Sequence, residues 1–367
     1  MKVIFENATL RDVISKAAKI APTKGSAFDK AAGIHITVSE SDNQVVVRSN
    51  NTEVFYTEVV DTVEITGEGV WLIPSILFEG VTSKLPVTSG SQVTMEDAGN
   101  QMVLSHRRMK AKLAMMDPSN YLSWDWMDTE GLSPVPDFAA RLEQVSWAAS
   151  RDNLPPLSGI HLDGEFAMAT DNHRIATTPC IAEMIYEPVT IPASTFTPLM
   201  RNLGEVRMGR NENTLLVMPD EATQIKATIY ANKYPPIRKA IKRDEPYSVK
   251  VLKDEILAMV EQASVMSLSE RNPLLKMIIG LEELAVMMQD GESGLLGNVA
   301  ELAGQCVHDR YTIGLTPESF SNALRAAPNR EVLIHYHLNK KPIRIDGGSG
   351  YEALVQTRSL NPPKEES

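Results

Sequence analysis

Apolar residues recur three and four positions apart in three well-separated stretches of the chain. Leu10, Val13, Ile14 and Ala17 follow the strand-like run Val3-Ile4-Phe5. Phe138, Leu142, Val145 and Ala149 follow Pro136-Asp137. Ile256, Met259, Val260 and Ala263 follow Val249-Lys250-Val251, with Asp254 in position to cap. This spacing predicts a helix with one buried face at each place. A second signal comes later in each stretch. The chain reads Ile73-Pro74-Ser75-Ile76-Leu77-Phe78 then Val81, Ile191-Pro192-Ala193-Ser194-Thr195-Phe196 then Leu199, and Leu315-Thr316-Pro317-Glu318-Ser319-Phe320 then Ala323 and Leu324. Proline fits the first turn of a helix, where its missing N–H has no partner to lose. Ser75, Ser194 and Thr316 are side chains able to cap the orphan amides.

The three phenylalanines Phe78, Phe196 and Phe320 stand 118 and 124 residues apart. Two markers in one order at nearly constant spacing indicate an internal repeat. Between the markers lie alternating segments such as Gln44–Arg48 and Thr223–Ile229, which read as half-buried strands. Each repeat is then strand, helix, strands, helix, strands: an α+β domain with two helices on one face of antiparallel sheets. The expected boundaries are 1–125, 134–243 and 247–360, with a polar tail at 361–367. Linkers fit at Ser123–Pro136 and Lys242–Tyr247.

Composition narrows the function classes. Hydrophobic residues make up 43% and charged residues 23% of the 367, as in an ordinary globular protein. No apolar run suits a membrane span, and Met1–Asn7 lacks the apolar block of a signal peptide. Cys180 and Cys306 are the two cysteines, far apart, with no CxxC knuckle and no disulfide framework, so a reducing, cytoplasmic setting is expected. The net charge of −11 excludes a broad basic grip on nucleic acid, because phosphate contacts need Lys and Arg. It allows a protein that surrounds DNA and confines its positive charge to an inner face.

Local chemistry is sparse. Asp171, His173 and Arg174, in the run Ala169–Ala176, have the residue types of acid–base work, which leaves a hydrolase open as the alternative function. No GxSxG elbow or HExxH helix accompanies them, and a polar turn after a strand gives the same string. His335 and His337 alternate on an expected strand, Val332–Leu338, and so share a face, but no further Cys or Asp cluster completes a zinc site. Gly347-Gly348-Ser349-Gly350 lacks the Lys-Ser/Thr ending of a phosphate loop and reads as a hairpin turn. No metal or cofactor is expected.

The repeat and its motifs resemble the beta sliding clamp of bacterial DNA polymerase III. Ala169-Thr170-Asp171-Asn172-His173-Arg174-Ile175-Ala176 is similar to that family's Ala-Thr-Asp-Gly-His-Arg-Leu-Ala, and Tyr234-Pro235-Pro236-Ile237-Arg238-Lys239 to its Phe-Pro-Asp-Tyr-Arg-Arg. The resemblance runs from Met1 to about Leu360. It implies a homodimer of three-domain subunits joined head to tail into a ring, with twelve helices lining the hole. Its partners would be double-stranded DNA, a replicative DNA polymerase and a clamp loader, and it would have no enzymatic activity. The departures suggest a bacteriophage or a distant bacterial lineage.

Sites follow from the resemblance residue by residue. Lys24 and Arg151 match positions that face DNA, and helix placement adds Lys16, Lys19, Arg201 and Arg325. Ala111 and Leu113 correspond to one side of the subunit contact, Val265 and Met266 to the other. A peptide pocket between the second and third domains would be walled by Leu157, Thr170, His173, Arg174, Ile175 and Pro235, with Asn172 in place of a glycine and Lys239-Ala240 in place of Arg-Val. Its C-terminal edge, Leu354, Val355, Gln356 and on to Leu360, lacks the family's Met-Pro-Met and continues into Asn361–Ser367. A less greasy edge predicts a different peptide preference.

Overall fold

The computed structural model describes residues 1–22, 33–122, 124, 126–152, 154–201, 203–241, 245–265, 272–280, 284–288, 310–339 and 341–360. Lys24, Met266, Cys306 and the tail at 361–367 lie outside them. Among the described residues are seven α-helices: α1 (Asn7–Ala18), α2 (Ser75–Thr82), α3 (Phe138–Ser146), α4 (Ala193–Met200), α5 (Arg238–Ile241), α6 (Lys253–Val265) and α7 (Pro317–Ala326). Six of them stand at the six places where the apolar spacing puts a helix. The short α5 carries no such signal.

The residues group into two compact units, one of Met1–Phe138 and Thr195–Ile229, the other of Ala139–Ser194 and Tyr230–Ser367. In the first unit a five-stranded sheet runs Glu64–Thr66, Lys2–Glu6, Gln92–Asp97, Gln101–His106, Met109–Ala114. An eight-stranded sheet runs Ser133–Val135, Val206–Arg210, Thr214–Met218, Thr223–Thr228, Val54–Val60, Gln44–Asn50, Ile34–Ser39, Gly69–Ile73. Its middle pairs Thr223–Thr228 antiparallel with Val54–Val60, with Ile225 opposite Tyr56, so strands more than 160 residues apart share one ladder. α1 packs on α2 and on the strands of both sheets. Leu10, Val13, Ile14, Ala17 and Phe78 are fully buried there.

The second unit repeats the scheme. Its eight-stranded sheet runs Val189–Pro192, Gly159–Leu162, Phe166–Thr170, Arg174–Pro179, Tyr351–Val355, Ile343–Gly348, Glu331–Tyr336, Tyr247–Leu252. A three-stranded sheet runs Leu284–Met288, Leu275–Gly280, Arg310–Leu315. Here Arg174–Pro179 pairs antiparallel with Tyr351–Val355, and α6 packs on α7. The architecture is α+β, as expected.

Several local readings are corrected. Ser75 lies inside α2, whose N-cap is Pro74 and carries no side-chain bond. Ser194 lies inside α4, and Asp254 sits in the first turn of α6 rather than at its cap. Thr316 is the N-cap of α7 but makes no side-chain cap bond. There, acidic side chains near the positive helix end (Glu318 in α7, Asp254 and Glu255 in α6) complement the backbone dipole instead. The strand Glu331–Tyr336 ends before His337, so the two histidines do not share a strand face. Thr223–Ala227 is buried on both faces, not one.

The segment read as a linker explains that burial. Gln224 accepts from the Met127 amide at 2.9 Å and donates to its carbonyl at 2.8 Å, which binds the segment across the sheet. Trp124 donates its indole N–H to Thr57 Oγ1 at 2.9 Å and meets Phe55 edge-on. Tyr121 stacks on His35 with ring centroids 4.9 Å apart. Burial, with help from the Arg48 guanidinium, pushes the His35 imidazole down to about 4. The unfolded chain therefore takes up a proton first. The stability contributed by neutral His35 is complete above its ordinary value of 6.5 and is lost as pH falls from there toward 4. His35→Phe keeps a stacking ring and removes the titration. Its stability should fall less than that of the wild type between pH 6.5 and 4, read from urea midpoints across the pH range. Parallel curves for the two proteins would show that His35 is not the group responsible.

Candidate functional site

The run Thr170–Ile175 is a tight hairpin end in the second unit, joining Phe166–Thr170 to Arg174–Pro179. Thr170 Oγ1 donates to the Arg174 carbonyl at 2.7 Å and accepts from the Asn172 amide at 3.1 Å. Asp171 Oδ1 accepts from the His173 and Arg174 amides, each at 2.9 Å. Asn172 has φ +74°, in the left-handed region where glycine is at ease and asparagine is among the few other residues tolerated. That is why asparagine stands where the resembling motif has glycine.

Arg174 is 8% exposed. Its Nε lies 2.9 Å from Asp171 Oδ2, its Nη2 donates to the Ala149 carbonyl at 3.5 Å, and its guanidinium sits 5.7 Å from the Trp147 ring centre. It therefore anchors the hairpin against the end of α3. Ser150, next in sequence, donates its amide to the Leu157 carbonyl at 2.8 Å, which places half-buried Leu157 beside the same anchor. Asp171, taken up by two amides and Arg174, does the work of a turn. His173 is exposed at the tip.

Under the hairpin lies a small apolar cluster of Met168, Tyr234 and Ile237, with Phe166 and Ile175 packed on it. His161 stacks on Tyr234 at 4.5 Å, nearly parallel. Burial lowers the His161 pKa, against the pull of Asp163. Arg238 covers Phe166 at 4.2 Å and pairs with Asp163 and Glu165, each at 3.2 Å. The segment Tyr234–Ile241 is thereby pinned, leaving Pro235 and Ala240 half-buried and Lys239 exposed. Phe166 and Met168 were not singled out from sequence. The signal available was their alternation with Ala167 and Ala169, which puts both on the face of Thr170 and Ile175.

The C-terminal strand completes the surface. Ile175 is opposite Leu354 and Arg174 opposite Val355, both C-terminal residues being buried, and the exposed Gln356 donates its amide to the His173 carbonyl at 3.0 Å. α5 lies against this strand. The structure thus gathers Thr170, Asn172, His173, Arg174, Ile175, Pro235, Lys239, Ala240, Leu354, Val355 and Gln356 around one hairpin end. Leu360 sits farther along. It lines a cleft of about 150 Å³ with Tyr311, Gly314, His337, Thr357 and Arg358. Arg358 donates its amide to the Gly314 carbonyl at 2.8 Å and its guanidinium to the Pro273 carbonyl at 2.7 Å. A Cβ on Gly314 would stand 2.6 Å from the Arg358 carbonyl oxygen, so only glycine permits this approach. Gly314→Ala should push the terminal segment away and raise hydrogen exchange at the Arg358 amide about tenfold, the loss of one bond. Unchanged exchange would show that the segment is held elsewhere.

Of the described residues expected to face DNA, Lys16 and Arg325 lie within helices, and Lys19, Arg151 and Arg201 lie beyond helix ends. Lys16 on α1 pairs with Asp12 at 2.7 Å and Glu58 at 3.3 Å. Burial opposes its charge, but the two carboxylates outweigh that and raise its pKa. Lys19 is exposed at the end of α1, and Arg201 is exposed just past α4. Arg151 pairs with Glu318 on α7, and Arg325 on α7 pairs with Glu261 on α6 at 2.7 Å. Of the residues expected at a subunit contact, Ala111 and Leu113 lie on Met109–Ala114, the edge of the five-stranded sheet. Leu113 is only 5% exposed, whereas Val265, at the end of α6, is 61% exposed.

No protein-family model matches the chain. Solved structures do match it over 98% of its length. The DNA polymerase III beta subunit of Thermotoga maritima superposes with a TM-score of 0.83 at 16% identity, covering 98% of this chain and 100% of that one. The beta subunit from DNA polymerase of Streptococcus pyogenes gives 0.79 at 17% identity, covering 98% and 100%. The DNA polymerase sliding clamp of Bacillus subtilis gives 0.78 at 17% identity, covering 98% and 99%. At such identities what is shared is the backbone plan, and on that ground this chain has the fold of the DNA polymerase III beta sliding clamps.

Proposed function

We propose that the protein is a DNA sliding clamp, a non-catalytic ring that tethers a replicative polymerase to duplex DNA. The observation that carries this reading is the end-to-end match to clamp structures, 98% of this chain against the full length of theirs. Three repeats at 1–125, 134–243 and 247–360 make one subunit, and two subunits close head to tail. The edge strand Met109–Ala114, with Ala111, meets the region of Val265 and Met266 on the partner. A ring of this kind owes processivity to topology, so its contacts with phosphate can be few and weak. The acidic body, net charge −11, suits that mechanism.

The hairpin end and the C-terminal segment form the docking site for short peptides of the polymerase and the clamp loader. Apolar Ile175, Pro235, Ala240 and Leu157 receive side chains, while His173, Asn172 and Gln356 offer polar edges. Gln356, Thr357 and Arg358 make the C-terminal rim polar and shift the peptide preference. The hydrolase alternative finds less support, because Asp171 is already taken up in forming the turn. No helix among the described residues is long and apolar enough to cross a membrane, and the proposed setting is the cytoplasm or nucleoid.

The protein loaded on nicked circular DNA should stay through a high-salt wash and leave when the circle is linearised. Equal loss from circles and linear duplex would contradict encirclement. His173→Ala should weaken a bound partner peptide about tenfold, produce no loss of any hydrolytic turnover and leave retention on circles intact. A standard clamp-binding peptide should bind the wild type weakly in a titration. Tight binding would count against the altered preference.

A further inference from the structure

Three of the cations expected to face DNA are already paired with carboxylates. Arg151 pairs with Glu318, Arg325 with Glu261, and Lys16 with Asp12 and Glu58. Two of the pairs join separate elements of the second unit: Arg151, just past α3, reaches Glu318 in the first turn of α7, and Glu261 of α6 reaches Arg325 of α7. Their members are 53–73% exposed, so these are surface pairs that a competing anion can exchange.

We propose that Glu318 and Glu261 set how tightly the ring holds DNA. A phosphate reaches Arg151 or Arg325 only by displacing the resident carboxylate, which lowers the net gain of each contact and lets the contact be given up again as the ring moves. This rests on the clamp reading, in which these helices face the duplex. Counterion release predicts its signature. Each arginine freed to bind phosphate steepens the fall of log affinity with log salt by about 0.9.

The test uses the full-length protein and Glu261→Gln, Glu318→Gln and the double variant. Affinity for a short fluorescent duplex is measured from low to moderate salt. The double variant should show a slope steeper by up to about 1.8. Adding Arg151→Gln and Arg325→Gln should return it to the wild-type value. A control carrying Glu64→Gln and Glu130→Gln, two exposed carboxylates with no basic partner among the described residues, makes the same change in net charge and should leave the slope near that of the wild type. An unchanged slope in the double variant, or the same steepening in the control, overturns the proposal. Retention of the wild type on nicked circles, scored in parallel, bears separately on the ring. Its absence would overturn the clamp reading, whereas retention with an unchanged slope would overturn the carboxylate role alone.

Discussion

A β-strand at the edge of a sheet exposes a row of amide and carbonyl groups that must find partners in water, in protein or in another chain. This fold answers by pairing strands from distant parts of the sequence. Val54–Val60 is closed by Thr223–Thr228, and Arg174–Pro179 by Tyr351–Val355. Each pairing turns two short sheets into one of eight strands. The rest of each unit depends on these ladders. In the second unit they bring the hairpin Thr170–Ile175 beside Leu354, Val355 and Gln356.

The same ladder builds the candidate docking surface and limits what it can be. Because Ile175 and Leu354 are directly opposed, the apolar floor of the candidate site is continuous across strands far apart in the sequence. Asp171 and Arg174, which look like acid–base equipment in a string of letters, are spent on holding the turn. The groups that remain exposed at the hairpin end are His173, Asn172, Lys239 and Gln356.

Much of the fold was legible because helical periodicity is local. Leu10, Val13, Ile14 and Ala17 announce a buried face without reference to any other part of the chain, and all four are fully buried. Capping was less legible. Ser75 and Ser194 have the right side chains but lie one or two residues inside their helices, a shift that depends on where the preceding strand releases the chain. Thr223–Ala227 looked half-buried because its second covering layer, the segment around Met127, is almost a hundred residues away. The ion pairs were hidden for the same reason: Glu318 is 167 positions from Arg151. Departures from the resembling motif, such as Asn172, became intelligible only with the backbone angle in hand.

The central claim is that this polypeptide surrounds DNA, and particle shape in solution tests it most directly. Electron microscopy of the purified protein, with its native mass measured on the same sample, should show a closed ring of two chains with a hole wide enough for a double helix. A monomer at every concentration, or a dimer with no such opening, would contradict the account.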